Sequence, residues 1–148
     1  MRFVVSEDHA LHAPIQELEL SRFQPPFEHP GRVQVILDAL AADGTFERVE
    51  ARSWGTAPIE AVHDAGLVAF LADAWDRYQV ECGPTNDVVP DVFALPGLRA
   101  GMGPAAEPPP ASAQLGGWCF ETTTPLTAGT YRAARSSVSL RNSRAVGV

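Results

Sequence analysis

Lysine is absent from this 148-residue chain: all eleven basic residues are arginine, which reads as a coding bias rather than a function. Eighteen acidic residues outweigh them. The resulting net charge of −7 argues against a non-specific nucleic-acid binder, which needs clustered base to neutralise phosphates. It is compatible with a small cationic substrate. Cysteine is scarce as well. Cys82 and Cys119 stand far apart, with no Cys-x-x-Cys or Cys/His spacing, and nothing else suggests a secreted disulfide framework. No apolar run approaches the roughly 20 residues needed to span a bilayer. Met1-Arg2 leads straight into strand-like residues, without a signal-peptide pattern. The expectation is a soluble, cytoplasmic protein with neither a membrane nor a nucleic acid as partner.

The usual reaction motifs are missing too. No serine sits in Gly-x-Ser-x-Gly, and neither cysteine is flanked by a base. The glycines around Gly101 match neither Gly-x-Gly-x-x-Gly nor a phosphate-binding loop.

What remains is a chain of single-domain length with an ordinary 45% hydrophobic content. Arg2-Phe3-Val4-Val5-Ser6 reads as a short buried strand, followed by a proline-containing loop to about Pro30. Val33, Ile36, Leu37 and Leu40 then recur at helical spacing, with Pro30 at the start and Gly44 at the stop. A second strand is expected from Phe46 to Ser53, and a short helical piece from Pro58 through Val62. The strongest helix follows His63-Asp64. Its stripe is Val68, Leu71, Ala72, Trp75 and Tyr78, with Asp73, Asp76 and Arg77 facing away.

From Gly83 to Gly117, prolines and glycines argue against any sustained helix or strand. A loop of that length in a small domain is usually functional or disordered. A last helix is expected from Thr127 to about Leu140, with Tyr131 and Ala134 inward. The strand–helix order is the beginning of an α/β domain with a parallel sheet, though two strands make a poor one.

Candidate chemistry centres on the four histidines. His9 and His12 lie three apart among carboxylates, but zinc requires three or four ligands, and a polar rim loop has the same composition. His29 precedes Pro30 at a helix start. His63-Asp64 is a His–carboxylate pair of the sort used in acid–base catalysis, and more commonly one that orients a helix start.

The ordered segments say more than any single motif. "MRFVVSEDHALH", "ELELSRFQPPFEHPGRVQVILDAL", "AVHDAGLVAFLADAWDRY" and "QLGGWCFETTTPLTAGTYRAARSSV" together resemble the N-terminal portion of bacterial acetylpolyamine amidohydrolases, in the histone deacetylase superfamily. The His29-Pro30-x-Arg32 start and the Val62-His63-x-x-x-x-Val68-x-x-Leu71 helix look superfamily-wide. Pro25-Pro26-Phe27-Glu28 and Ala74-Trp75-Asp76-Arg77 look particular to the polyamine branch.

The resemblance implies an open α/β/α arginase-deacetylase fold, present here as a partial domain. It implies hydrolysis of an acetyl amide of a polyamine by zinc-activated water in the full-length family, and a homodimer. Glu17 matches an acidic position of the substrate-entrance loop, leaving His9 and His12 as scaffold or rim. Residues 83–117 match an insertion that narrows the entrance and mediates dimer formation, with Trp118, Cys119 and Glu121 beside it. Two acidic positions of that insertion fall at Ser112 and Thr123, which departs from the family's polyamine pattern.

The expected zinc motifs, Pro-Gly-His-His and Asp-x-Asp-x-His-His-Gly, occur nowhere in the chain, so no zinc is expected to bind it. Residues 139–148 match nothing in the family and read as an atypical tail, as a frameshift or premature stop would produce. The expectation is therefore an inactive N-terminal fragment of a zinc amidohydrolase. The alternative is a non-enzymatic dimerisation or partner-binding module derived from that family.

Overall fold

A computed structural model describes residues 1–49, 53–93, 97, 100–103 and 109–141. The chain divides into two compact units. The first comprises Met1–Ala13, Phe27–Val68 and Gly129–Val148, and the second Pro14–Pro26 and Ala69–Ala128.

In the first unit, β1 (Arg2–Val4) pairs in parallel with β4 (Glu47–Val49), in the register Arg2↔Glu47, Phe3↔Arg48 and Val4↔Val49. The parallel sheet expected from the strand–helix–strand order is thus present. Its second strand is shorter than the 46–53 expectation, and residues 50–52 lie outside the described residues. Between these strands runs α1 (Gly31–Asp43), which follows Pro30 and ends at Gly44. Gly44 stands at φ 71°, a left-handed cap that favours glycine, and its N–H donates to the Leu40 carbonyl. Val33, Leu37 and Leu40 are half-buried, but Ile36 is exposed. At 100° per residue, Ile36 falls on the margin of that stripe.

A short 3₁₀ helix, Glu7–Leu11, occupies part of the expected opening loop. Ser6 caps it by accepting from Asp8 N at 3.1 Å. The short α2 (Ala57–Glu60) buries Ile59, and α5 (Thr130–Arg141) buries Ala133 rather than the expected Ala134, which is exposed. Most of the expected tail, 142–148, lies outside the described residues.

The second unit holds the larger apolar cluster. Most of α3 (Ala65–Cys82) belongs to it, and Phe70 and Ala74 join Val88, Leu115 and Leu126 in the core. Leu71, Trp75 and Tyr78 pack against that core, as do Trp118 and Cys119. Ala72, assigned to the inward stripe, is exposed, and Arg77 is half-buried instead of facing away. The apolar face is centred on the Phe70–Ala74 line, one helical turn apart.

Two elements correct the reading of the loops. β2 (Glu17–Glu19) and β3 (Arg22–Gln24) form an antiparallel hairpin within the segment read as loop. All but the last residue of α4 (Ala111–Trp118) lies within the Pro/Gly-rich stretch. Pro110 stands just before its first turn, where its missing N–H costs nothing. Gly116 tolerates the helix because the Val92 carbonyl oxygen lies where a Cβ would be, only 1.5 Å from it. Both cysteines are free thiols.

Candidate functional site

Glu17 opens β2, and its register partner on β3 is Gln24. The residue is only 2% exposed, although it carries a carboxylate. Gln24 Nε2 donates to Glu17 Oε1 at 3.2 Å and to Glu19 Oε2 at 2.5 Å, so one amide bridges two carboxylates. Burying a carboxylate is costly unless donors meet it, and the cross-strand amide supplies one. The two residues preceding Glu17 are tied down. Ile15 N donates to Asp87 Oδ1 and Oδ2 at 3.1 and 3.0 Å, and Gln16 N donates to Asp87 Oδ2 at 3.0 Å. The residue after it is held as well: Leu18 N donates to Thr122 O at 3.2 Å, and Thr122 Oγ1 donates to Leu18 O at 2.7 Å. Sequence reasoning singled out Glu17 as a candidate, and neither Asp87 nor Thr122.

The other candidates of this unit are placed as follows. Trp118 and Cys119, at the end of α4, are partly buried against the core. Burial pushes the Cys119 thiol above its ordinary range, with the Glu121 carboxylate adding to the effect. Glu121 is exposed and accepts from the hydroxyls of Thr123 (3.1 Å) and Thr124. Ser112 is half-buried within α4, and Thr123 is held through that bond to Glu121.

In the first unit, His9, His12, Glu28, His29, Arg32 and Ile36 are among the residues lining a cavity of about 250 Å³. A carbonyl oxygen only accepts, so His9 Nδ1 carries the proton in its 2.6 Å bond to Ser6 O. His12 Nδ1 meets Thr130 Oγ1 at 2.9 Å. Arg32 pairs with Glu28 four residues earlier, and the bond from its guanidinium holds the Glu28 carboxyl below the usual range. Asp64 caps α3 by accepting from Gly66 N at 2.7 Å.

Among the described residues, no three His, Cys, Asp or Glu side chains converge to hold a metal ion. The histidines of the cavity therefore do not make the three- or four-ligand centre that zinc requires. Nor is any helix among the described residues long and apolar enough to cross a membrane.

No family model matches the chain. Individual proteins do. Acetylpolyamine amidohydrolase 2 of Pseudomonas aeruginosa is 35% identical over 140 residues, covering 95% of this chain and 39% of that protein. Acetylpolyamine amidohydrolase of Mycoplana ramosa is 33% identical over 138 residues, covering 93% and 39%. The crystal structure of acetylpolyamine aminohydrolase from Burkholderia pseudomallei superposes with a TM-score of 0.78 and 26% identity. That match covers 94% of this chain and 38% of the crystallised one. The chain thus spans about two fifths of the length of the relatives it matches. Alike in sequence and in fold across nearly all its own residues, it is similar to about two fifths of these acetylpolyamine amidohydrolases, as a partial arginase-deacetylase domain.

Proposed function

We propose that this chain is the N-terminal portion of a zinc-dependent amidohydrolase acting on acetylated polyamines or similar small amides, and that it does not turn over substrate alone. The observation that carries the reading is the match of 94–95% of the chain to under two fifths of such proteins. The described residues do not assemble a zinc centre, so no hydrolytic step is assigned to them. Their part in the reading is recognition. Glu17 supplies a carboxylate for an ammonium group of the substrate. A cation reaching it takes the place of the Gln24 amide, because both are N–H donors competing for the same oxygen. Trp118, Cys119 and Glu121 stand beside the 83–117 segment in the proposed entrance and homodimer region, and a cytoplasmic location goes with a polyamine substrate.

The test is a deacetylation assay of the purified 148-residue chain on N-acetylputrescine, with and without added Zn²⁺. No release of acetate is expected, and steady turnover would overturn the reading.

A second reading has one observation of its own. Val92, Phe93 and Met102, all in the 83–117 segment, are exposed apolar residues. A dimerisation or partner-binding module would cover such residues with its partner. Sedimentation separates the readings: a defined dimer with cooperative unfolding favours the module, and an aggregating chain counts against it.

A further inference from the structure

We infer that Asp87 is a positioning residue that fixes Glu17, an inference that rests on the ammonium-recognition reading above. Asp87 is 9% exposed, and its carboxylate reaches across 72 residues of sequence to the backbone just ahead of Glu17. Both of its oxygens are used, on two successive N–H groups at 3.0–3.1 Å. Two adjacent donors call for an acceptor that presents no hydrogen of its own. An ionised carboxylate is acceptor-only, whereas an asparagine would turn an NH₂ toward one of them. Among the described residues no ion pair joins Asp87, so the backbone donors are what meet its charge.

The clamp is itself rooted. Thr85 Oγ1 donates to Asp87 O at 3.0 Å, and the adjoining Val88 exchanges two hydrogen bonds with Leu126 in the core, at 2.9 and 2.8 Å. Residues 15–16 are therefore tied to a buried bridge, and Leu18 is tied to Thr122. Glu17 stands between the two anchors with little backbone freedom, its carboxylate set opposite Gln24. Such ordering in the free protein spares the cost of fixing the group when a cation binds. Asp87 touches no substrate in this scheme and acts through Glu17.

The experiment is a double-mutant cycle on the full chain, with N-acetylputrescine as the probe in isothermal titration. Glu17→Gln is expected to weaken binding about tenfold, as is Asp87→Asn. In the Asp87→Asn background, Glu17→Gln is expected to add nothing further. Asp87→Glu keeps an acceptor-only carboxylate and is expected to preserve the dependence on Glu17. In the unliganded chain, Asp87→Asn is expected to shift the NMR signal of the Glu17 carboxyl and to speed amide exchange at Ile15 and Gln16. A merely structural role would leave the Glu17 effect full-sized in both backgrounds and its carboxyl signal unmoved. That result overturns this inference while the recognition reading stands. A wild-type affinity indifferent to Glu17→Gln, or no binding at all, overturns both.

Discussion

Gly129 lies against the backbone of Leu11, so close that a Cβ added to it would sit 2.1 Å from the Leu11 carbonyl oxygen and 2.6 Å from its carbonyl carbon. The obstacle is main chain, which cannot swing aside as a side-chain tip would. Gly129→Ala must therefore move the end of the 3₁₀ helix away from the start of α5. The expected loss is about 1–3 kcal/mol of stability, as for other overpacked sites. Gly116→Ala meets the Val92 carbonyl oxygen in the second unit and carries the same expectation. Urea unfolding of the two variants tests both, and wild-type midpoints would show that these backbones yield freely.

The hairpin tip makes the opposite prediction. Leu20 and Ser21 both have positive φ, 48° and 65°, in the two-residue loop between β2 and β3. A left-handed conformation costs an ordinary residue about 1–2 kcal/mol, and loops of this type favour Asn-Gly. Leu20 is 90% exposed, so replacing it removes no packing. The pair Leu20→Asn, Ser21→Gly is expected to raise stability by about 1 kcal/mol, visible as a higher thermal midpoint. An unchanged or lower midpoint would mean that the leucine makes a contact of its own.

The same hairpin shows where the sequence could and could not be read. The ends of α1 were legible because Pro30 and Gly44 act through their own backbone restrictions, and Gly44 does adopt the left-handed cap. "ELELSRFQ" carries no Asn-Gly or Asp-Gly, and it buries a glutamate, so neither turn chemistry nor polarity betrayed its strands. α4 was hidden by the prolines before it and the glycine pair inside it, which disfavour helix locally; burial of Ala111 and Leu115 overrides them. Helix phase on α3 was legible only to within about one residue, since a broad apolar face blurs which line is central: Phe70 and Ala74, not Ala72. As for the candidate site, Glu17 entered it through family resemblance alone. Asp87 and Thr122 were not, because each works by meeting backbone groups 72 and 104 residues away, for which side-chain patterns carry no signal.

Alkaline pH is expected to destabilise the second unit. Burial pushes the Cys119 thiol above its ordinary value of 9.0. Tyr78 is likewise raised above 10.0, first by burial and then by its neighbours Cys82 and Asp91. Below about pH 8 both groups are protonated folded or unfolded, and stability does not depend on them. Above that, the unfolded chain loses these protons first, so the folded state binds more protons and stability falls as pH rises. Denaturant midpoints measured between about pH 8 and pH 10.5 should decline. Thiol alkylation should modify exposed Cys82 well before Cys119. Equal labelling rates for the two cysteines would contradict the burial that drives the shift.

Glu81 and Arg77 hold the start of α4 against α3, and the partners they meet rank them. The Glu81 carboxylate accepts directly from Ala111 N, at a helix terminus whose N–H groups have no partner within the helix. Arg77 reaches Gln114 Oε1 and Pro109 O only at 3.5 Å, the limit of a useful hydrogen bond, and pairs with Glu81 at the same distance. Glu81→Ala should then cost about 1–2 kcal/mol, comparable to losing a helix cap. Arg77→Ala should cost well under that, as half-exposed ion pairs contribute about 0–1 kcal/mol. Hydrogen exchange distinguishes the two: Glu81→Ala should release the first-turn amides of α4 while those of α3 stay protected. If Arg77→Ala frays α4 more than Glu81→Ala does, the guanidinium rather than the carboxylate is the clasp.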